Sequence, residues 1–189
     1  MSKKILIVED ESIIRMDMKM MLEDHGYEVV GEAGDGDQAI ELAFQEKPDL
    51  VLMDIKMPRM NGLKASQVIA SQLDIPILII TAYSQKEFVE QARQDNIVGY
   101  LVKPISESNL IPAVEIAMHQ ANKAKKLKLE IKTAQHEVEK RKLIERAKGI
   151  LMDKKMLTEQ EAFKKMRDAS MARQMTMESI AKEILYENK

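Results

Sequence analysis

What most constrains this chain is the rhythm of its N-terminal part, where short aliphatic runs alternate with amphipathic stretches. The runs Ile5–Val8, Glu28–Gly31, Leu50–Met53, Ile77–Ile80 and Val98–Val102 are β-branched or Leu-rich and almost continuously apolar. Strands read this way when helices cover both faces of their sheet. Between them, Ile13–Leu22, Gln38–Gln45, Leu63–Leu73 and Lys86–Arg93 repeat apolar residues at helical spacing. Ser84-Gln85-Lys86-Glu87 reads as a capping box opening the last of these helices. Strict alternation of strand and helix predicts an α/β doubly wound domain around a five-stranded parallel sheet. Ligands of such sheets sit beyond the carboxyl ends of the strands, where the strand order reverses. Chemistry is therefore expected just past the strands.

Those positions hold Glu9-Asp10 after the first strand and Asp54 after the third, followed by Lys56, Pro58 and Asn61-Gly62. Thr81-Ala82 follows the fourth strand and Lys103-Pro104 the fifth. Taken singly, an acid pair after a strand is usually a solvated turn, and Lys-Pro is a turn signal. Together they put three carboxylates, a hydroxyl and an ammonium on one rim. Clustered carboxylates repel each other unless a cation offsets them. Mg2+ suits the set, with Asp10 and Asp54 as ligands, Glu9 acting directly or through water, and the Lys56 backbone carbonyl completing the protein's share. One carboxylate can then attack a phosphoryl group to form an acyl phosphate. Lys103 and the Thr81 hydroxyl would take the remaining phosphoryl oxygens, and Ala82 is small enough to leave room.

From Ser106 onward the pattern is helical. Ala117, Ala124, Leu127, Ile131, Ala134 and Val138 fall on a and d positions, with Gln120 the one polar member. That is the short end of a coiled coil, and its alanines bury little area. The stretch reads either as a pairing helix or as a solvated connector. A helix ends near Asp153–Lys155. Leu157-Thr158-Glu159-Gln160-Glu161-Ala162 then carries a hydrophobic staple and a capping box. Ala162, Phe163, Met166 and Ala169 make the stripe of the helix that follows, and Thr176 caps a third helix carrying Ile180, Ala181, Ile184 and Leu185. A three-helix bundle this small lies near the lower limit of independent stability.

Charge separates the two parts. Through Pro112 there are 11 Lys and Arg against 19 Asp and Glu; from Ala113 onward the balance is 18 against 12. A basic module often meets a polyanion, although a solvated Lys-rich helix reads alike. On the first bundle helix, Leu143, Ile144, Ala147, Ile150 and Leu151 share one arc. Arg141, Lys142, Arg146 and Lys148 lie outside it as a basic face for phosphates. Gly149 costs ~1 kcal/mol inside a helix, which suggests close approach by another backbone, of protein or of nucleic acid. Arg167 and Arg173 could reach the same ligand or stand in solvent. Phe163 reads as core, so recognition by hairpin shape, phosphates and loop-base hydrogen bonds is expected over stacking. The chain has no cysteine and so no disulfide or thiolate metal site. With no apolar run of spanning length and no signal peptide, a cytoplasmic location away from any membrane is expected.

Residues 1–120 resemble a response-regulator receiver domain, of flavodoxin-like fold, in the order and spacing of Glu9-Asp10, Asp54, Thr81 and Lys103. The resemblance implies that Asp54 is the phosphoacceptor, Lys103 pairs with the phosphate, Thr81 swings toward it and Tyr100 is the aromatic switch. The bland alternative for Tyr100 is an edge aromatic with a wet hydroxyl. The acid pair is Glu-Asp where Asp-Asp is common, which makes Asp10 the firmer metal ligand. Arg141 to Leu185 resemble an ANTAR domain through Ile144-Glu145-Arg146-Ala147-Lys148-Gly149-Ile150-Leu151-Met152, Glu161-Ala162-Phe163, Met166-Arg167-Asp168-Ala169-Ser170-Met171 and Ile180-Ala181. The layout expected is a receiver over 1–120, a coiled-coil linker helix over 113–140 continuous with the last receiver helix, and an ANTAR three-helix domain over 141–189. The resemblance further implies a sensor histidine kinase, a phosphorylation-driven homodimer and RNA, as paired hairpins near a terminator, for transcription antitermination. Regulators of ethanolamine utilisation are the suggested kin. No enzyme activity is expected beyond Mg2+-dependent self-phosphorylation and self-dephosphorylation. The alternatives are DNA binding through a helix-turn-helix, whose tight turn is not apparent, a protein-interaction output, or turnover of a free phosphate substrate.

Overall fold

A computed structural model of the chain describes residues 2–82 and 96–187. The helix expected over Lys86–Arg93 and its capping box at Ser84 lie outside the described residues. The chain divides into two compact units, residues 1–125 and 126–189.

The first unit contains strands β1 (Lys4–Val8), β2 (Glu28–Ala33), β3 (Leu50–Asp54), β4 (Ile77–Thr81) and β5 (Ile97–Val102). They form one parallel sheet in the order β2-β1-β3-β4-β5. Each strand reaches one or two residues past its apolar run, because ladder hydrogen bonds outlast the hydrophobic signal. Helices α1 (Ser12–Asp24), α2 (Gly36–Glu46) and α3 (Gly62–Gln72) fill the connections, and α4 (Glu107–Lys155) leaves the sheet after β5.

Successive strand residues point to opposite faces, and the core divides accordingly. Leu6, Val8, Val51, Met53, Ile77 and Ile79 pack on one face with Ala39 and Ala43 of α2 and Leu63, Ala65 and Ile69 of α3. Ile5, Ile7, Leu50, Leu52, Leu78 and Ile80 pack on the other with Met18 and Leu22 of α1 and Leu110, Val114 and Ala117 of α4. Two-sided burial explains why the strands read as unbroken apolar runs.

The loop from β3 to α3 is tied down locally. Asp35, 1 % exposed, caps α2 by accepting from the Asp37 and Gln38 amides at 2.9 and 3.0 Å. Its other oxygen meets the Arg59 guanidinium, an ionic contact without hydrogen-bond alignment. Arg59 holds left-handed backbone at φ 61, an uncommon state for a residue with a side chain. The Gly36 amide donates to the Met60 carbonyl at 3.1 Å, and Asn61 caps α3 through the Lys64 amide at 2.9 Å. At Gly62 a Cβ would stand 1.9 Å from the Asp54 carbonyl oxygen, so only glycine fits there.

The second unit is a small helical bundle. The last turns of α4, α5 (Glu159–Ala172) and α6 (Met177–Glu187) bury Ala147, Leu151, Ala162, Met166, Ile180 and Ala181 together. The capping box at Thr158 and Glu161 is present, and Thr176 accepts from the Ser179 amide at 3.1 Å. Leu157 packs into the same cluster, as a staple should. Three expectations need correction. Phe163 is 45 % exposed, because it sits about 100° around the helix from Ala162. Ala117 belongs to the sheet's core and not to a heptad seam, whereas Leu127, Ile131 and Val138 are about half exposed. A Cβ at Gly149 would meet nothing within 4 Å, so helix packing does not require this glycine. Among the described residues no helix is long and apolar enough to cross a membrane.

Candidate functional site

The strand order reverses between β1 and β3, the position where doubly wound sheets place their ligands. Val8 pairs with Met53, so Glu9 and Asp54 emerge side by side from neighbouring strands. Thr81 pairs with Val102, and Lys103 follows directly, its amide donating to the Thr81 carbonyl at 2.9 Å. Register alone therefore gathers residues that are far apart in sequence.

Lys103 is the hub. Its Nζ donates to Glu9 Oε1 and to Asp54 Oδ2, both at 2.9 Å. Glu9 Oε2 lies 2.8 Å from the same nitrogen but off hydrogen-bond alignment, leaving that buried oxygen open to a second cation. Ligand oxygens of Glu9, Asp10 and Asp54 lie within 4.8 Å of one another. Glu9 is fully buried, Asp54 is 4 % exposed and Asp10 faces solvent. A hard divalent cation fits this donor set: oxygen ligands only, with one carboxylate left toward water. The Lys56 amide reaches Asp54 Oδ1 at 3.4 Å, where the loop begins that would bring its carbonyl to such an ion.

Burial raises the Glu9 carboxyl above its ordinary range, with the hydrogen bond from Lys103 opposing and the Asp54 charge adding to the rise. Burial pulls the Lys103 ammonium down, but hydrogen bonds and charge from Glu9 and Asp54 outweigh it and its pKa rises. Lys103 is thus firmly cationic at the foot of the cluster. Thr81 is 6 % exposed at the end of β4, while Tyr100 on β5 is 61 % exposed.

Sequence reading passed over Arg15 of α1. Its Nη1 donates to the Glu9 carbonyl at 2.5 Å and its Nε lies 3.4 Å from Glu32, which also takes Lys19 at 2.8 Å. Arg15 thereby fixes the turn that carries both N-terminal acids. It sits one turn into an amphipathic helix, where nothing in the local pattern marks a contact with a backbone carbonyl.

In the bundle, Arg141, Lys142, Arg146 and Arg167 are exposed as a basic face requires. Lys148 is not part of that face. It is 7 % exposed, with Nζ held by Glu159 at 2.7 Å and Glu145 at 2.9 Å. Arg173 is exposed but forked onto Glu183, at 2.5 and 2.8 Å. Sequence charge counted both as available, and local acids engage them.

Residues 5–115 match the response regulator receiver domain family, and residues 132–185 match the ANTAR domain family. The chain is 49 % identical over 183 residues to the transcriptional regulatory protein PdtaR of Mycobacterium tuberculosis, covering 97 % of this chain and 89 % of that protein. It is 36 % identical to the chemotaxis protein CheY of Thermotoga maritima, over 60 % of this chain and 96 % of the other. Among solved structures, the signal receiver domain of a modulated diguanylate cyclase from Desulfovibrio desulfuricans matches with a TM-score of 0.59 and 30 % identity. That match covers 65 % of this chain and 98 % of the other.

Proposed function

The chain belongs to the response regulators that join a receiver domain to an ANTAR domain, and on that premise we propose that phosphorylation of Asp54 controls binding of RNA hairpins by the bundle. The observation that carries the reading is Asp54 itself. It is a nearly buried carboxylate at the switch point, held 2.9 Å from an ammonium and grouped with two further acids. In the proposed reaction an Asp54 oxygen attacks the phosphorus of a phosphohistidine on a sensor kinase, the P–N bond breaks, and the imidazole leaves with a proton. A magnesium ion held by Asp10 and Asp54, with Glu9 direct or through water and the Lys56 carbonyl, would neutralise the phosphoryl oxygens. Lys103 covers a further oxygen and Thr81 turns its hydroxyl toward another. Tyr100, exposed beforehand, then packs inward and alters the surface around β5.

Two such chains associate, and their bundles hold paired hairpins with the gain in avidity that linkage gives. The hairpins overlap a terminator, so binding lets transcription continue, and the protein works in the cytoplasm without turning over a free substrate. Arg141, Lys142, Arg146 and Arg167 supply exposed charge for phosphates. The open space over Gly149 leaves the helix backbone approachable.

The test has two arms. Acetyl phosphate with Mg2+ should add one phosphoryl mass to wild type and none to Asp54→Asn. RNA captured from cells by the phosphorylated chain should be enriched in stem-loops over RNA captured by Asp54→Asn. Equal capture by both proteins would sink the coupling.

A further inference from the structure

Between Ile116 and His136, α4 carries Lys123, Lys125, Lys126, Lys128 and Lys132 against a single acid, Glu130. All five lysines are exposed. The receiver match ends at residue 115 and the ANTAR match begins at 132, so four of the five belong to neither. This is the part of the helix whose charge no family assignment explains.

Three of them share a face. Lys125, Lys128 and Lys132 follow at i, i+3 and i+7, the spacing of one helical stripe. About five turns further on, Arg146 returns to the bearing of Lys128, with Lys142 beside it. The stripe therefore shares the bearing of Lys142 and Arg146 on α4, whereas Arg141 lies on the other side. Gln135 and Glu139 interrupt it.

The bundle spends much of its own positive charge internally. Lys148 is held by Glu145 and Glu159, Arg173 by Glu183, Lys182 by Glu178 and Lys140 by Glu137. Among the described residues no ion pair engages Lys123, Lys125, Lys126 or Lys132, and Lys128 alone of the five has an interaction of its own. Each is a compact ammonium on a flexible stem, suited to a phosphate as a point charge. No Phe, Tyr or Trp lies between Ile116 and His136, and the His119 ring stands about 180° around the helix from Lys128, so the stripe has no platform for stacking on bases. Lysine without aromatics reads backbone and not sequence. In a hairpin the regular run of phosphates is the stem, whereas the readable bases are in the loop.

We propose that the Lys125, Lys128 and Lys132 stripe docks on the phosphates of a double-stranded RNA stem, so that the RNA surface begins before the bundle. This rests on the reading that the bundle binds RNA hairpins, and adds a second, sequence-independent contact for the same ligand. The bundle takes the loop and the helix takes the stem.

The experiment uses the full phosphorylated chain and, as probe, the most enriched stem-loop from the capture described above, labelled for fluorescence anisotropy. Affinity is measured across a salt series. Lys125→Gln, Lys128→Gln and Lys132→Gln combined should flatten the slope of log affinity against log salt by about 2–3, roughly one for each phosphate no longer neutralised. The off-stripe pair Lys123→Gln and Lys126→Gln should flatten it by less than about one. Glutamine has nearly the helix propensity of lysine, so circular dichroism should not change. An unchanged slope in the triple variant, on a stem-loop that wild type binds, overturns the stripe and leaves the hairpin reading standing. Equal loss per lysine in the two variants also overturns it, because that signals overall charge and no docked face. If wild type binds no stem-loop, the hairpin reading fails first and takes the stripe with it.

Discussion

The two units treat glycine in opposite ways, and the contrast shows how each is held together. In the receiver, Gly62 stands against the Asp54 carbonyl, and a single added methyl has nowhere to go. In the bundle, Gly149 has open space around it. The receiver is packed on both faces of a sheet by side chains that are almost wholly inaccessible. The bundle closes over a handful of small and medium side chains, and much of its order comes from caps and ion pairs at its edges. Interiors at close-packed density punish volume changes, whereas a lean bundle is sensitive to polar staples instead.

The hardest test of that contrast is Gly62→Ala. Overpacking of this kind costs about 1–3 kcal/mol, and the shift must also displace Asp54. Urea denaturation should show the loss and acetyl phosphate labelling should slow; a fully stable, fully labelled variant would break the comparison on the receiver side. Next comes Thr158→Ala, which removes the cap of α5 and should cost about 1 kcal/mol. Hydrogen exchange should report it in the bundle amides alone. Gly149→Ala has the opposite sign, a gain of up to about 1 kcal/mol seen as slower exchange in the bundle. If this glycine meets RNA, the stabilised variant binds stem-loops more weakly, which separates fold from function at one residue.

The smallest effect is in the pH response, where the two units should part company. Glu9 has a raised pKa from burial, so its folded form binds a proton more tightly than the unfolded chain does. Its contribution to stability falls as pH rises through the window from the ordinary carboxylate value up to the raised one. Glu159, Glu161 and Glu178 are lowered, chiefly by hydrogen bonds from Lys148, Thr158 and Lys182 respectively. Their contribution is present above the ordinary value and is lost as pH falls through the lowered ones. As pH falls, the receiver should therefore be relieved first, at Glu9 above the ordinary carboxylate value, and the bundle's amides should loosen only below it. Parallel behaviour of both units in exchange experiments across that range would contradict this.

The receiver was largely legible in sequence because its topology does the placing. Once strands and helices alternate, residues past β1, β3, β4 and β5 must converge, and Glu9, Asp54, Thr81 and Lys103 do. Helix boundaries in the bundle were legible because Thr158, Glu161 and Thr176 act within a few residues of themselves. Lys148 was misread because its partner Glu159 lies on the next helix, beyond any periodicity argument. Phe163 was misread because it sits at the edge of its stripe, where one position on the wheel decides between core and solvent. Arg15 escaped notice because a backbone carbonyl, the partner that holds it, leaves no trace in side-chain pattern.

Asp35 and Arg59 have an evolutionary consequence. One opens α2, the other sits in the loop leading away from Asp54, and the buried Asp35 carboxylate meets the exposed Arg59 guanidinium. Losing Arg59 strands the buried Asp35 carboxylate, whereas Arg59 alone would stand in water, so change at position 59 should draw change at position 35 through descent. Lineages that exchange Arg59 for an uncharged residue should exchange Asp35 as well.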